Sequence, residues 1–150
     1  MKDFFLRRAR ETDLEEVKAL LTTSSLPLEG VDEAFSNFIV AEGGPSIVGT
    51  AGLELYGRFA LLRSAAVVKG WQGYGVGRAL IGEVISRARS RNVDSVFLLT
   101  TTAENYFPSF GFQKIERAEL PVELNESAEL RGACPDTATV MRLVLNATSR

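Results

Sequence analysis

The chain has 150 residues, 45% of them hydrophobic and 24% charged, which leaves room for one globular domain with an ordinary core. A net charge of −2 offers no broad positive field for nucleic acid or an anionic membrane. One cysteine and no histidine exclude an internal disulfide, a Cys/His metal centre and any Ser-His or Cys-His nucleophile, so no metal site is expected.

The amino terminus lacks the apolar run of a secretion signal, and no stretch approaches the roughly 20 apolar residues of a membrane span. A cytoplasmic protein forming a single domain over residues 1–150 is expected. Residues 4–8 read as a first strand. Thr12-Asp13-Leu14-Glu15 follows as a helix start, with Thr12 as cap and Glu15 closing a capping box. Leu14, Val17 and Leu21 keep one helix face apolar. Residues 22–30, with Pro27 and Gly30, read as a loop.

Phe38-Ile39-Val40-Ala41 and Ile47-Val48-Gly49 flank Gly43-Gly44-Pro45, the pattern of a hairpin. The second strand can run to Tyr56, with a turn at Gly57-Arg58. Residues 60–68 are apolar except at Arg63 and Ser64, which suits a central strand covered on both faces. Residues 75–89 form the clearest helix, with Val76, Leu80, Val84 and Ala88 on one stripe. Arg87, Arg89 and Arg91 read as its solvated face. Residues 95–100 are an apolar strand, so strand, helix and strand make a crossover unit with parallel neighbours. A short helix over 103–110 stops at Gly111, and strands follow at 112–116 and 139–145. The expected fold class is α/β with a mixed, mainly antiparallel sheet flanked by helices.

Between strand and helix stands Trp71-Gln72-Gly73-Tyr74-Gly75-Val76-Gly77-Arg78. Glycines let backbone approach an anion, and a helix amino terminus offers unpaired N–H groups, so the fitting ligand is a phosphate or pyrophosphate. A P-loop fails because no lysine and hydroxyl follow Gly77. A dinucleotide fingerprint fails because Arg78 or Leu80 occupies its last glycine position.

Gln72-x-x-Gly75-x-Gly77 resembles the phosphate-binding loop of the Gcn-five-related (GNAT) N-acetyltransferases. Leu62-Arg63-Ser64-Ala65-Ala66-Val67 is similar to that family's fourth strand, and residues 103–112 to its Ala-x-x-Phe-Tyr-x-x-x-Gly-Phe segment. The resemblance implies acetyl-CoA as co-substrate, held by Gln72, Gly73, Tyr74, Gly75, Val76, Gly77 and Arg78 at the pyrophosphate. It also implies that backbone of Ala66, Val67 and Val68 pairs with the pantetheine arm. The fourth and fifth strands would splay beside a bulge, a parallel pair opened to admit the thioester. Phe107 stands where the family usually carries tyrosine, the acid for the leaving thiolate. Tyr106 beside it is either a packed aromatic or a substitute donor.

Acetyl transfer to an amine can draw most of its rate from positioning and backbone donors, which agrees with the missing histidine. Arg63 interrupts an apolar strand, where an unpaired charge is costly. It either binds an acceptor carboxylate or pairs internally with Glu54 on the adjacent strand. Glu54 in turn is the candidate to orient or deprotonate the amine, or a rim charge. Leu26-Pro27-Leu28-Glu29-Gly30-Val31, Leu61-Leu62-Arg63-Ser64, Leu98-Leu99-Thr100-Thr101-Thr102-Ala103 and Cys134-Pro135 resemble the arsenic-resistance N-acetyltransferases, some of which act on arsinothricin, a glutamate analogue. That resemblance implies a small-molecule amino-acid acceptor contacting Leu26, Arg63, Ser64 and Thr101. N-acetylglutamate synthases and phosphinothricin acetyltransferases share the glutamate-like acceptor. Dimers are common in the family, so a homodimer stays open. A silent acyl-CoA sensor and an interaction module remain the non-enzyme alternatives.

Overall fold

The structure, a computed structural model, describes residues 2–146. Among these, seven strands form one sheet in the order β1-β2-β3-β4-β5-β7-β6. Their bounds are β1 Phe5–Arg8, β2 Phe38–Gly43, β3 Ser46–Tyr56, β4 Phe59–Val67, β5 Ser95–Thr100, β6 Gln113–Ile115 and β7 Thr139–Val144. Three α-helices accompany them: α1 Leu14–Thr23, α2 Val31–Ala34 and α3 Val76–Ser90. Every neighbouring pair is antiparallel except β4 and β5. The mixed, mainly antiparallel α/β sheet expected from the sequence is present.

Alternation along β2 explains how both faces are covered. Ile39 and Ala41 join the core built on α3, with Val76, Leu80, Ile81, Val84, Ile85 and Ala88. Phe38 and Val40 face the other way, onto Val17, Leu20 and Leu21 of α1 and Val31 and Ala34 of α2. Period two in a strand sends successive side chains to opposite faces, so a strand between two helical layers reads as a continuous apolar run. Gly52 lets the Phe38 ring lie against the neighbouring strand, since a Cβ there would meet that ring at 2.3 Å.

Three local expectations need correction. Helix α1 starts at Leu14 after a short 3₁₀ turn, Glu11–Asp13, and exposed Thr12 does not cap it. Asp13 takes the anchoring role, because its Oδ2 accepts from the Arg10 N–H at 2.7 Å and from Arg7 Nη1 at 2.8 Å. Residues 22–30 are shorter as a loop than expected, since α1 runs to Thr23 and α2 follows at Val31. Of the helix expected at 103–110, a single 3₁₀ turn, Phe107–Phe110, forms before Gly111. Thr100 Oγ1 instead accepts the Ala103 N–H at 2.9 Å, a local bond that competes with helix.

Candidate active site

The site begins with a change of register in β4. Arg63 pairs with Gly52 and Ala66 with Thr50, so Ser64 and Ala65 together oppose Ala51. Ser64 adopts φ 62°, the left-handed turn of a bulge. An extra residue reverses the parity of the strand. Ala60 and Leu62 face the α3 core before the bulge, whereas after it Ala65 and Val67 do, and Ala66 faces α1. The parallel pairing of β4 with β5 covers Phe59↔Ser95, Ala60↔Val96 and Leu61↔Phe97 and goes no further. Beyond Leu61 the two strands part, and two adjacent cavities lie at the opening.

The larger cavity, about 650 Å³, runs from the strand end to the helix end. Its walls include Ala66, Val67, Gln72, Gly73, Gly75, Val76, Gly77, Arg78 and Phe107. Gly73 and Gly75 sit at φ 85° and 87° with nothing within 4 Å of their Cβ positions, so the loop is open over its glycines. The first intrahelical bond of α3 with a glycine acceptor runs from Ala79 N–H to Gly75 O at 3.0 Å. The N–H groups of Val76, Gly77 and Arg78 therefore emerge from the helix end, where its dipole is positive. Gln72 Nε2 donates to Val67 O at 3.2 Å and ties the loop to the strand. Donors at one end and apolar Leu80 and Ile81 along the wall suit a ligand with an anionic centre and a long, weakly polar arm. Two residues expected here lie outside the lining. Val68 spends its N–H on Val48 O at 2.8 Å, and Tyr74 is exposed.

The smaller cavity, about 190 Å³, contains Leu26, Arg63, Ser64 and Thr101, the four residues expected at the acceptor. Ala65, Ala103 and Phe107 line both cavities and form their common wall. Phe107 is buried, edge-on to Phe112 at 5.7 Å. Tyr106 is exposed, edge-on to Phe107 and Phe110, and the partial burial it does have pushes its hydroxyl pKa up.

All three guanidinium nitrogens of Arg63 donate to the protein. Its Nη1 donates to Glu54 Oε2 and Glu29 O, both at 2.7 Å, its Nη2 to Pro27 O at 3.2 Å, and its Nε to Ser64 Oγ at 3.0 Å. Of the two readings the sequence left open for Arg63, the ion pair with Glu54 is present. Glu54 is buried and fully used as well, since its Oε1 accepts from Tyr56 Oη at 2.5 Å. Glu54 lines a separate cleft with Tyr56, Glu33 and Arg131 and is absent from the lining of the acceptor cavity.

Sequence reasoning passed over Glu129. It is buried, lies with its Oε2 3.6 Å from Arg63 Nε, and lines the acceptor cavity beside Cys134. Burial pushes its pKa up to about 7, against the lowering effect of Arg63. The Cys134 thiol is pushed up to about 12 by burial and by the Glu129 charge. Residues 117–133 carry no periodicity, so the only signal that could have pointed here was an acidic residue five positions before Cys134-Pro135. Among the described residues, no group of three or more His, Cys, Asp or Glu could hold a metal ion.

Comparison with known proteins agrees with this geometry. The acetyltransferase (GNAT) domain profile matches residues 34–114. An amino-acid acetyltransferase of Mycobacterium tuberculosis is 31% identical over 129 residues, 79% of this chain and 74% of that protein. A Mycobacterium tuberculosis protein solved in complex with CoA superposes with a TM-score of 0.78 at 26% identity, over 94% of this chain and 99% of that one. The N-acetylglutamate synthase of Neisseria gonorrhoeae, solved with coenzyme A and N-acetyl-glutamate, shares the fold at a TM-score of 0.82 and 23% identity. That match covers 96% of this chain and 35% of the synthase. With an opened parallel pair, a glycine loop at a helix end and these relatives, the chain belongs to the GNAT acetyltransferase family and is an acetyl-CoA-dependent N-acetyltransferase.

Proposed function

We propose that the protein moves the acetyl group of acetyl-CoA to the α-amino group of a glutamate-like amino acid, with arsinothricin among the acceptors it takes. The observation that carries this reading is the junction of the two cavities at Ala65, Ala103 and Phe107, where a thioester in one meets an amine in the other. The amino-acid acetyltransferase relative supports an amino-acid acceptor, and the four sequence segments similar to arsenic-resistance enzymes support the glutamate-like class.

On this reading the N–H groups of Val76, Gly77 and Arg78 hold the pyrophosphate, and backbone of Ala66 and Val67 lies along the pantetheine arm. Phe107 keeps water from the thioester. Acceptor carboxylates meet the hydroxyl groups of Ser25, Ser64, Thr101 and Thr102 rather than a free guanidinium. Arg63 acts by shape: by holding the carbonyls of Pro27 and Glu29 it fixes the loop that carries Leu26 into the cavity.

Thiol release with acetyl-CoA and a panel of amino acids tests the assignment. Acidic α-amino acids and their arsenic- or phosphorus-bearing analogues should turn over ahead of uncharged amines; equal use of simple amines would remove the glutamate-like class. Arg63→Lys keeps the charge but not the planar fork. It should raise the acceptor KM about tenfold, equivalent to ~1.4 kcal/mol, and leave the acetyl-CoA KM unchanged. A normal acceptor KM would detach the 24–30 loop from acceptor binding.

A further inference from the structure

We propose that Glu129 is the general base of this acetyl transfer, taking the proton from the acceptor's ammonium in the smaller cavity. The inference rests on the amino-acid acceptor reading above. A base must line the acceptor cavity and keep a carboxylate oxygen free of strong partners. Glu54, the candidate from the sequence, fails both conditions. Its oxygens accept from Arg63 and Tyr56, and it opens onto another cleft. Glu129 meets both. It lines the cavity that also holds Leu26, Ser64 and Thr101, and its contact with Arg63 is a long 3.6 Å.

The charges around it suit the task. Arg63 on β4 faces Glu129 and Glu54 on β3 stands behind Arg63, so one cation is shared between two carboxylates. The cluster carries one excess negative charge when both are ionised, and that charge is available to an incoming ammonium. Cys134, on the chain segment leading to β7, lines the same cavity and favours the ionised form of Glu129. Burial works the other way and holds the pKa near 7, where a base is half-deprotonated and still worth protonating.

The step balances without another reactant. The Glu129 carboxylate takes one proton from the ammonium, and the freed nitrogen lone pair forms a C–N bond to the thioester carbonyl carbon. The C–S bond breaks with its electron pair going to sulfur. The second proton on nitrogen goes to the thiolate through solvent, giving the N-acetyl amino acid and CoA thiol, and Glu129 returns its proton to water.

The test is the pH dependence of kcat/KM for the amino acid that turns over best. In the unsubstituted protein it should rise with pH to a plateau, with a midpoint near the value burial gives Glu129, about 7. Glu129→Gln should lose about 100-fold or more at pH 7 and lose the plateau, its rate climbing into the alkaline range as the amine deprotonates alone. Acetyl-CoA binding, read by thermal shift, should be unchanged. Cys134→Ala should move the midpoint upward, a change in the pH profile that a merely structural role would not produce. As a readout independent of turnover, the Glu129 carboxyl followed by carbon NMR should titrate near neutrality. A Glu129→Gln enzyme with unaltered rate and pH profile, or a Glu129 titrating in the ordinary carboxylate range, overturns the proposal. Absence of turnover with every amino acid, while other amines are acetylated, overturns the acceptor reading first and the proposal with it.

Discussion

Gly75 carries two demands at one position. Its φ of 87° costs an L-residue roughly 1–2 kcal/mol, and its Cβ direction is open where the expected anion would lie. Gly75→Asp should therefore fold but lose the thermal stabilisation by acetyl-CoA, worth about 2.7 kcal/mol at a hundredfold excess over Kd. A well-folded Gly75→Asp protein with an undiminished shift would separate this loop from the cofactor. Glu129 offers a second test at the same scale, on stability alone. Its folded pKa lies near 7, above the ordinary 4.5. The stability linked to its proton is complete below pH 4.5 and is lost as pH rises through about 7. Glu129→Gln should match the unsubstituted protein in melting temperature near pH 4.5 and exceed it progressively towards pH 8. The glycine loop was plain in the sequence because glycine types are constrained by the backbone they permit. Glu129 was not, because its role comes from long-range burial against Arg63, which no local pattern encodes.

Helix α1 is fastened at its start by charges rather than by a hydroxyl cap. Asp13 takes two bonds from Arg7, at 2.8 and 3.0 Å, while Arg7 Nε reaches Glu42 Oε1 at 2.6 Å, so one guanidinium joins β1, β2 and the helix entry. The bond from Arg7 holds the Asp13 carboxyl below the usual carboxylate range. A lowered carboxylate pKa contributes stability that is present above the ordinary 3.8 and lost as pH falls through the folded value. Asp13→Asn should cost roughly 1.5–3 kcal/mol at pH 7, measured by urea unfolding, and the gap should close in acid. Strands and the long helix were legible because alternation and the α3 stripe repeat over enough residues to stand out. The β2–β3 hairpin and α3 lie within two residues of their expected bounds. The short helix α2 and the turns over 117–133 have too few residues to show a period, and tertiary contacts decide them. Thr12 misled because a hydroxyl two residues before Leu14 satisfies the same local pattern as Asp13, which wins through its contact with Arg7.

At the scale of the molecule, the sheet is two blocks, β1 to β4 and β5-β7-β6, joined by three register pairs between β4 and β5. Element order made that crossover foreseeable, since a helix that packs back across the sheet returns the chain to start a parallel neighbour. An opening beside a bulge was expected from the family resemblance, whereas its place along the strand was not foreseeable from composition. It depends on Ser64 adopting a left-handed φ, which an apolar run does not announce. The shared wall of Ala65, Ala103 and Phe107 has a consequence for the donor. On the proposed reading, a longer acyl group would grow towards the acceptor cavity of about 190 Å³ and take room from the amine. On that reading the junction would act as a gauge of chain length, and acetyl-CoA should outpace propionyl- and butyryl-CoA in that order. Competition assays with the amino acid held at saturation would show it. Ala103→Gly, which shortens the wall by one methyl, should narrow the gap between acetyl and propionyl donors, whereas equal rates for all three in the unsubstituted enzyme would mean the acyl tail leaves by another route.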